Sequence, residues 1–425
     1  MSINSIISNS RTRFWLLCSI FILSLLLRLS ITFSHHARYG LDDWVDAKLY
    51  LATGIAFSEG DFFPPDGTRT PYMIIGPAIP MIVAVSRILF GNPILPVLFL
   101  NCLVSSLLVF VLYKLGKILV NEKAGVMLAL WSAPNYNIIQ LNHQILKEPY
   151  IIMLVSLITL LLIHVYMDNR ILRNTILSSL LFSLLIHIDE RFVVYIPVVL
   201  FALLASKNVK SRITFTIIWI AVLFISMIPW TIRNYKQFGE IVILTPRTTT
   251  ITSKLWGTEA IGLHFSDNGS KDELNEFRLA RAQEEANNMG VELREYGRLE
   301  KYYMAFYHYW KPVYLKTNFI QYGFRPVKWS LIYNLSGIIF YGMFLPFYLL
   351  GFIYSWIKRN YPILVLATIP LIHSLIHTAM IWPLDRYRIP MDSLLVIVAL
   401  WFIFQVHTIV SVRGARALHI VAQDS

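Results

Sequence analysis

Carboxylates and arginines gather in three short strings of this chain: LDDWVDAKLY over 41–50, PWTIRNYKQFG over 229–239, and DRYRIP over 385–390. A carboxylate within hydrogen-bond reach of a hydroxyl takes up its proton as that hydroxyl attacks. A guanidinium is planar, permanently charged and matched to the oxygens of a phosphate. Acids in the first string and arginines in the other two suit a displacement on an anionic, membrane-bound substrate, provided that one face of the molecule collects them.

The elements that must do the collecting are membrane spans. The chain has 425 residues, 56% of them hydrophobic and only 15% charged, with a mean hydropathy of +0.57. That apolar content comes in long runs, which makes an all-α polytopic membrane protein. The formal charge of +12 does not argue for nucleic acid. Many of the Lys and Arg residues lie in short loops between apolar runs, where they act as topology signals.

Runs of about twenty apolar residues cross a bilayer, and they are expected near 14–33, 94–116, 124–141, 149–167, 174–188, 192–206, 212–231, 333–356, 361–381 and 391–411. The first follows Arg11 and Arg13, no small-residue cleavage site comes after it, and it reads as a retained signal anchor. The run over 72–90 is apolar too, but Pro71, Pro77 and Pro80 interrupt it. It is expected to lie at the outer surface as a proline-broken juxtamembrane helix, because the basic loops with Lys114, Lys117 and Lys123, with Arg170 and Arg173, with Lys207, Lys210 and Arg212, with Lys358 and Arg359, and with Arg413 and Arg416 then all fall on the cytoplasmic side. If it crosses, the first four of those clusters face outward.

Three domains follow. Residues 1–240 form an N-terminal transmembrane catalytic module with its first outer loop at 35–92; 241–330 form a small helical extracytoplasmic domain; 331–425 form the C-terminal transmembrane helices. The middle part is the one long polar stretch. Its mixed charges and aromatic-rich, amphipathic run EYGRLEKYYMAFYHYWKP have helical periodicity.

On this topology the outer face collects Asp42, Asp43, Asp46, Arg69, His143, Glu148, Asp189, Glu190, Arg191, Arg233, Asp385, Arg386 and Arg388. Ionisable groups at the edge of hydrocarbon are costly unless paired or wet, so such a set lines a polar cavity. Asp42, Asp43 and Asp46 are all placed to act as the base; on a helix Asp42 and Asp46 share one face and Asp43 lies about 100° away. The structural alternative for Asp46 is to cap a juxtamembrane helix. Glu148 in HQILKEPY either orients an acceptor or holds a divalent cation with His143; its structural alternative is to meet the positive end of the following helix, with Pro149 in the first turn. Arg191, Arg233, Arg386 and Arg388 are the candidates for an anionic phosphate, and ion pairs with Asp189, Glu190 or Asp385 are the competing use for some of them. Arg28, inside the first span, reads as a paired or snorkelling residue. His373 and His377, four apart, have metal-ligand spacing but no third ligand nearby, and packing or acceptor contacts are the stronger reading. Cys18 and Cys102 sit in apolar runs as core residues.

The first outer loop resembles that of the integral-membrane GT-C glycosyltransferases, and above all the protein mannosyltransferase and aminoarabinose transferase-like group. The resemblance rests on Asp46 followed by Tyr50 and Gly60, on RTPYMIIGPAIPMIVAVSRILFG with Arg69, on Pro229-Trp230 with Arg233-Asn234-Tyr235 and Phe238-Gly239, and on Arg386-Tyr387-Arg388-Ile389-Pro390. It implies a GT-C-type bundle of about ten spans, a polyprenyl-phosphate sugar as donor, a lipid, glycan or protein as acceptor, inversion at the anomeric carbon, and Asp46 as the base. The surplus acids Asp42 and Asp43 keep that last assignment open. A bacterial inner membrane with the site facing the periplasm is the expected location, with membrane lipids as neighbours and no nucleic-acid partner. A lipid-linked sugar flippase is the competing class, but transporters tend to carry repeated halves and charges near the midplane, and neither is visible here. An O-antigen polymerase or ligase would also use outward arginines; the early acidic loop favours the transferase.

Overall fold

The structure, a computed structural model, describes residues 9–41, 45–62, 76–167, 169–205, 212–238, 241–244, 298–312, 335–379 and 385–423. Every regular element among them is helical. In chain order these are α1 (Ser10–Tyr39), α2 (Val45–Ser58), α3 (Ala78–Phe90), α4 (Leu95–Leu119), α5 (Glu122–Ser132), α6 (Glu148–Tyr166), α7 (Ile171–Ile188), α8 (Ile196–Leu204), α9 (Arg212–Phe238), α10 (Arg298–Trp310), α11 (Leu345–Ile357), α12 (Tyr361–Ala379) and α13 (Asp385–Gln423).

Among the described residues eight helices are long and apolar enough to cross a membrane: α1, α4, α6, α7, α9, α12, the segment Leu335–Ile357 that ends in α11, and Tyr387–Val412 of α13. Two of the expected spans take a broken form. Over 124–141 the helix α5 ends at Ser132 and one further turn, Tyr136–Ile139, follows, because Pro134 has no N–H to continue the ladder. Over 192–206 a 3₁₀ stretch, Glu190–Tyr195, precedes the nine residues of α8. Pro197 suits only a first turn, so the α-helix restarts there. The apolar run over 72–90 yields α3, whose 13 residues reach about 20 Å, too short to span. Large apolar side chains such as Leu23, Ile225 and Trp356 stand exposed along the long helices, as lipid-facing surfaces do.

The chain divides into two compact units interleaved in sequence: Met1–Ser24 with Leu108–Asn137 and Gly290–Ser425, and Leu25–Leu107 with Ile138–Met289. In the second, α2 lies tightly on α3. A Cβ at Gly54 would stand 2.4 Å from Val83 Cβ and 2.7 Å from the Pro80 carbonyl oxygen, so only glycine permits the approach. The helices α6 and α7 are joined by a tight link, which makes them antiparallel neighbours, and α7 is tied to α9 where Ser179 Oγ donates to the Trp219 carbonyl at 2.6 Å. The beginning of α6 and the end of α7 therefore share one end of this unit, while Arg170 and Arg173 sit at the other.

In the first unit Asn121 starts α5 by accepting from Ala124 N–H at 2.9 Å, a normal N-cap. Trp131 Nε1 donates to the Phe340 carbonyl at 2.9 Å, and Tyr341 Oη to the Trp310 carbonyl at 3.0 Å. α11 and α12 both pack on α13, and Tyr348 Oη donates to the Ala367 carbonyl at 2.6 Å.

Candidate active site

Asp46 stands in the first turn of α2 and Tyr50 one turn on, on the same helical face. Asp46 is half-buried, whereas Tyr50 is only 3% exposed. Four charged side chains act on the Tyr50 phenol: Lys147, Asp46, Glu148 and Asp189. Burial first, and then the three carboxylates, push the phenol above its ordinary value against the opposing pull of Lys147. Tyr50 is thus a neutral hydrogen-bond donor set among acids.

Glu148 and Lys147 come from the start of α6. Pro149 occupies its first turn, and Glu148, 1% exposed, meets the positive end of the helix. The segment leading into α6 is fixed from α4, where Asn101 Nδ2 donates to the Gln144 carbonyl at 2.8 Å. His143 in that segment stacks on His35 of α1 with ring centroids 4.0 Å apart. Burial, and then the neighbouring His35 ring, pull the His143 imidazole down to about 4, so it is neutral at physiological pH.

Asp189 follows the last turn of α7 and holds two cations. Lys147 Nζ lies 3.0 Å from its Oδ2, and Arg191 grips it with Nε on Oδ1 at 2.8 Å and Nη2 on Oδ2. Burial alone would raise this carboxyl, but Arg191 and Lys147 together hold it well below the usual carboxylate range. Asp189 also starts the 3₁₀ turn by accepting from the Arg191 N–H at 3.2 Å.

Arg233, near the end of α9, is fixed from three sides. Its guanidinium lies 4.7 Å over the Trp230 ring, Nη1 donates to Asn234 Oδ1 at 3.0 Å, and Nε and Nη2 both donate to the Phe62 carbonyl. That carbonyl is delivered by Gly60, whose φ of +85° turns the chain away from α2 in a conformation that costs glycine nothing. Asp61 is an electrostatic neighbour of the same guanidinium. Asn234 Nδ2 donates to the carbonyls of Val242 and Leu244 at 2.8 and 2.9 Å, and Trp230 Nε1 to Leu244 at 2.8 Å. The PWTIRNY string thus builds its own scaffold.

The third string belongs to the first unit. Arg388, 2% exposed, is bonded to Asp392 at 3.2 Å. It also donates to the Lys311 carbonyl at 3.0 Å and lies 3.6 Å over the Tyr341 ring. Tyr387 is anchored by the two histidines of α12: His373 Nε2 donates to its carbonyl at 2.9 Å, and His377 stacks on its ring at 4.8 Å. Asp385 and Arg386 open α13; their side chains lie outside the described residues.

Within the second unit, then, the structure brings Asp46, Tyr50 and Glu148 together, with Arg191 joined to them through Asp189. Arg233 meets α2 at its far end, through Phe62. Asp42, Asp43 and Arg69 lie outside the described residues. Among the described residues no group of three or more His, Cys, Asp or Glu side chains is placed to hold a metal. Sequence reasoning overlooked Lys147. The signal was present: a lysine beside Glu148, at the end of a span expected to face outward, runs against the positive-inside bias and calls for a carboxylate partner.

Residues 74–231 match the family model of the dolichyl-phosphate-mannose-protein mannosyltransferases. The chain is similar in structure to the Archaeoglobus fulgidus oligosaccharyltransferase in its apo form, with a TM-score of 0.56 and 13% identity over 94% of this chain and 52% of that one. It is also similar to the same enzyme tethered by a disulfide to an acceptor peptide containing the NVT sequon, with a TM-score of 0.53 and 13% identity over 93% of this chain and 50% of that one. The chain spans about half the length of these structures. No curated protein sequence matches it. The family match takes in Glu148, Asp189 and Arg191, and the all-helical fold is shared with the archaeal oligosaccharyltransferase, so part of this chain is similar to one membrane glycosyltransferase family and its fold to that of another such enzyme.

Proposed function

We propose that the chain transfers one sugar from a polyprenyl-phosphate carrier to a lipid, glycan or protein acceptor at the outer face of the membrane, with inversion at the anomeric carbon. The observation that carries this reading is the face of α2 that sets half-buried Asp46 and buried Tyr50 beside Glu148 of α6. As the acceptor oxygen bonds to the anomeric carbon, its proton passes to Asp46 and the bond from that carbon to the phosphate oxygen breaks. Polyprenyl phosphate leaves with the bonding electrons. Glu148, at the mouth of α6, orients the acceptor.

Charge growing on the leaving phosphate needs fixed donors. Arg191 and Arg388 spend their guanidinium groups on Asp189 and Asp392, and we assign them to positioning. Arg233 donates two N–H groups to a backbone carbonyl oxygen, a geometry a phosphate oxygen can take over, and it is our choice for the donor phosphate. Arg386 is assigned to the same task on sequence alone. The match to a dolichyl-phosphate-mannose family supports a lipid-phosphate donor. Arg170 and Arg173, at the end of the α6 and α7 pair away from Glu148 and Asp189, support a site facing outward, and a bacterial inner membrane is the proposed location.

Reconstitution in liposomes with a panel of radiolabelled polyprenyl-phosphate sugars tests the proposal. Asp46→Asn should lower turnover by about 10²–10⁴-fold while thermal unfolding in detergent stays within about 1 kcal/mol of wild type. Donor consumption that survives in Asp46→Asn but is lost in Asp43→Asn moves the base to the neighbouring position. No turnover of any donor, with the labelled lipid reaching the other leaflet, makes the protein a flippase.

A further inference from the structure

The mechanism above leaves Gly76 without a task. It belongs to the RTPYMIIGPAIP string and lies buried against the last turn of α7. A Cβ there would land on the His187 carbonyl oxygen and stand 2.8 Å from its carbon and 3.5 Å from the Ile188 carbonyl carbon. Backbone therefore rests on backbone, which only glycine permits. The turn beneath is itself fixed: His187 Nδ1 donates to the Ser183 carbonyl at 2.7 Å, and Asp189 follows with Lys147 and Arg191 on its carboxylate.

What sits on this seat is the pair formed by α2 and α3. Pro77 is the only residue between Gly76 and α3, so the chain has no slack there. Gly54 of α2 meets Pro80 and Val83 of α3, and Glu59, further along α2, pairs with Arg87, further along α3, at 2.8 Å. The two helices thus run parallel. The first turn of α2, with Asp46, lies at the end of the pair that begins at Gly76, and the other end is held by Trp230 of α9, packed with Phe57 and Ala84. A push at Gly76 swings the Asp46 end and leaves the Arg233 end in place.

We propose that Gly76 is a positioning residue, whose contact with the His187 carbonyl sets how close Asp46 stands to the outer end of α7. The inference rests on the reading of Asp46 as the base, but the seat itself is measurable without turnover. Carbon and carbonyl oxygen keep about 3.3 Å apart even in a close contact, so Gly76→Ala must lift the pair. The carbonyl of a last helical turn points along the axis, so the lift is directed away from the start of α7.

Double electron–electron resonance on the purified full chain in detergent reads that lift, with spin labels on Met81→Cys and Leu172→Cys, both exposed positions, in a Cys18→Ser, Cys102→Ser background. Gly76→Ala should lengthen the distance by about 1 Å or more. In liposomes kcat should fall by about 10²-fold while KM for the labelled polyprenyl-phosphate sugar changes by less than about threefold, because Arg233 stands on α9. Asp46→Glu, one methylene longer, should lower kcat on its own and recover part of the loss in Gly76→Ala. An unchanged distance, a kcat close to wild type in Gly76→Ala, or no recovery with Asp46→Glu overturns the proposal. If Gly76→Ala does not fold, Asp46→Glu alone decides: full activity overturns the proposal, and a loss of kcat at level KM supports it. Turnover that survives Asp46→Asn, in a protein whose label distance shifts as expected, overturns the base reading and leaves the seat.

Discussion

Two buried ion-pair clusters, one in each unit, are built from similar residue types and differ in how many charged groups they bring to one carboxylate. Arg388 is bonded to Asp392, and its guanidinium also donates to the Lys311 carbonyl and is covered by the Tyr341 ring. Around Asp189 two cations converge on one carboxylate, and two more acids, Asp46 and Glu148, stand close enough to act on the same tyrosine. The second has a half-buried member in Asp46, the group proposed above to take up a proton.

The largest effect that tests this contrast is expected at Arg388. Arg388→Met leaves Asp392 buried without its partner and should cost about 3–5 kcal/mol, since an uncompensated buried charge is the most expensive outcome. Arg388→Met combined with Asp392→Leu should recover most of the loss. Arg191→Met should cost less than Arg388→Met, because Asp189 retains Lys147. Thermal unfolding in detergent ranks the three variants, and an Arg191→Met protein as damaged as Arg388→Met would remove the distinction between the clusters.

Part of this was legible in the sequence. The helical class and the spans follow from apolar runs, and the pairing of Arg191 with Asp189 was one of the alternatives that two residues of separation suggests. The broken forms of 124–141 and 192–206 were harder to foresee, because a hydropathy window counts apolar residues and does not ask whether Pro134 or Pro197 lets one helix run through. Arg233 shows the other limit. Nothing in PWTIRNY says that its guanidinium will be held by the carbonyl of Phe62, far away in sequence, since a backbone oxygen leaves no mark on residue type. For Lys147 the need for a carboxylate was legible but the partner was not: Asp189 comes from a different helix end and is brought to it by the antiparallel pairing of α6 and α7.

Acid should act on the Asp189 end in two steps. The His143 imidazole has a folded value of about 4 against an ordinary 6.5, so the unfolded chain binds a proton that the folded one refuses. Stability therefore falls as pH drops from about 6.5 to about 4, by about 3 kcal/mol in all. Asp189 is shifted down by Arg191 and Lys147; its contribution is complete above the ordinary carboxylate value and is lost as pH falls through its folded value, well below that. His143→Gln should flatten the first step and leave the second. Unfolding midpoints across pH check this, and a first step that persists in His143→Gln refutes the assignment.

The smallest predicted effect concerns Arg233, which falls between the two clusters: its guanidinium is fixed, but by a carbonyl rather than a carboxylate. Gly60 makes that contact possible through a φ of +85°. A Cβ there would meet no neighbour within 4 Å, so Gly60→Ala tests backbone strain alone. The cost should be about 1 kcal/mol, read by thermal unfolding. If Arg233 serves the donor phosphate, loosening the Phe62 carbonyl removes a competitor for the same N–H groups, and KM for the lipid donor should fall slightly or stay level while stability declines. A rise in KM in Gly60→Ala would mean that the carbonyl aligns the guanidinium for the donor rather than occupying its place.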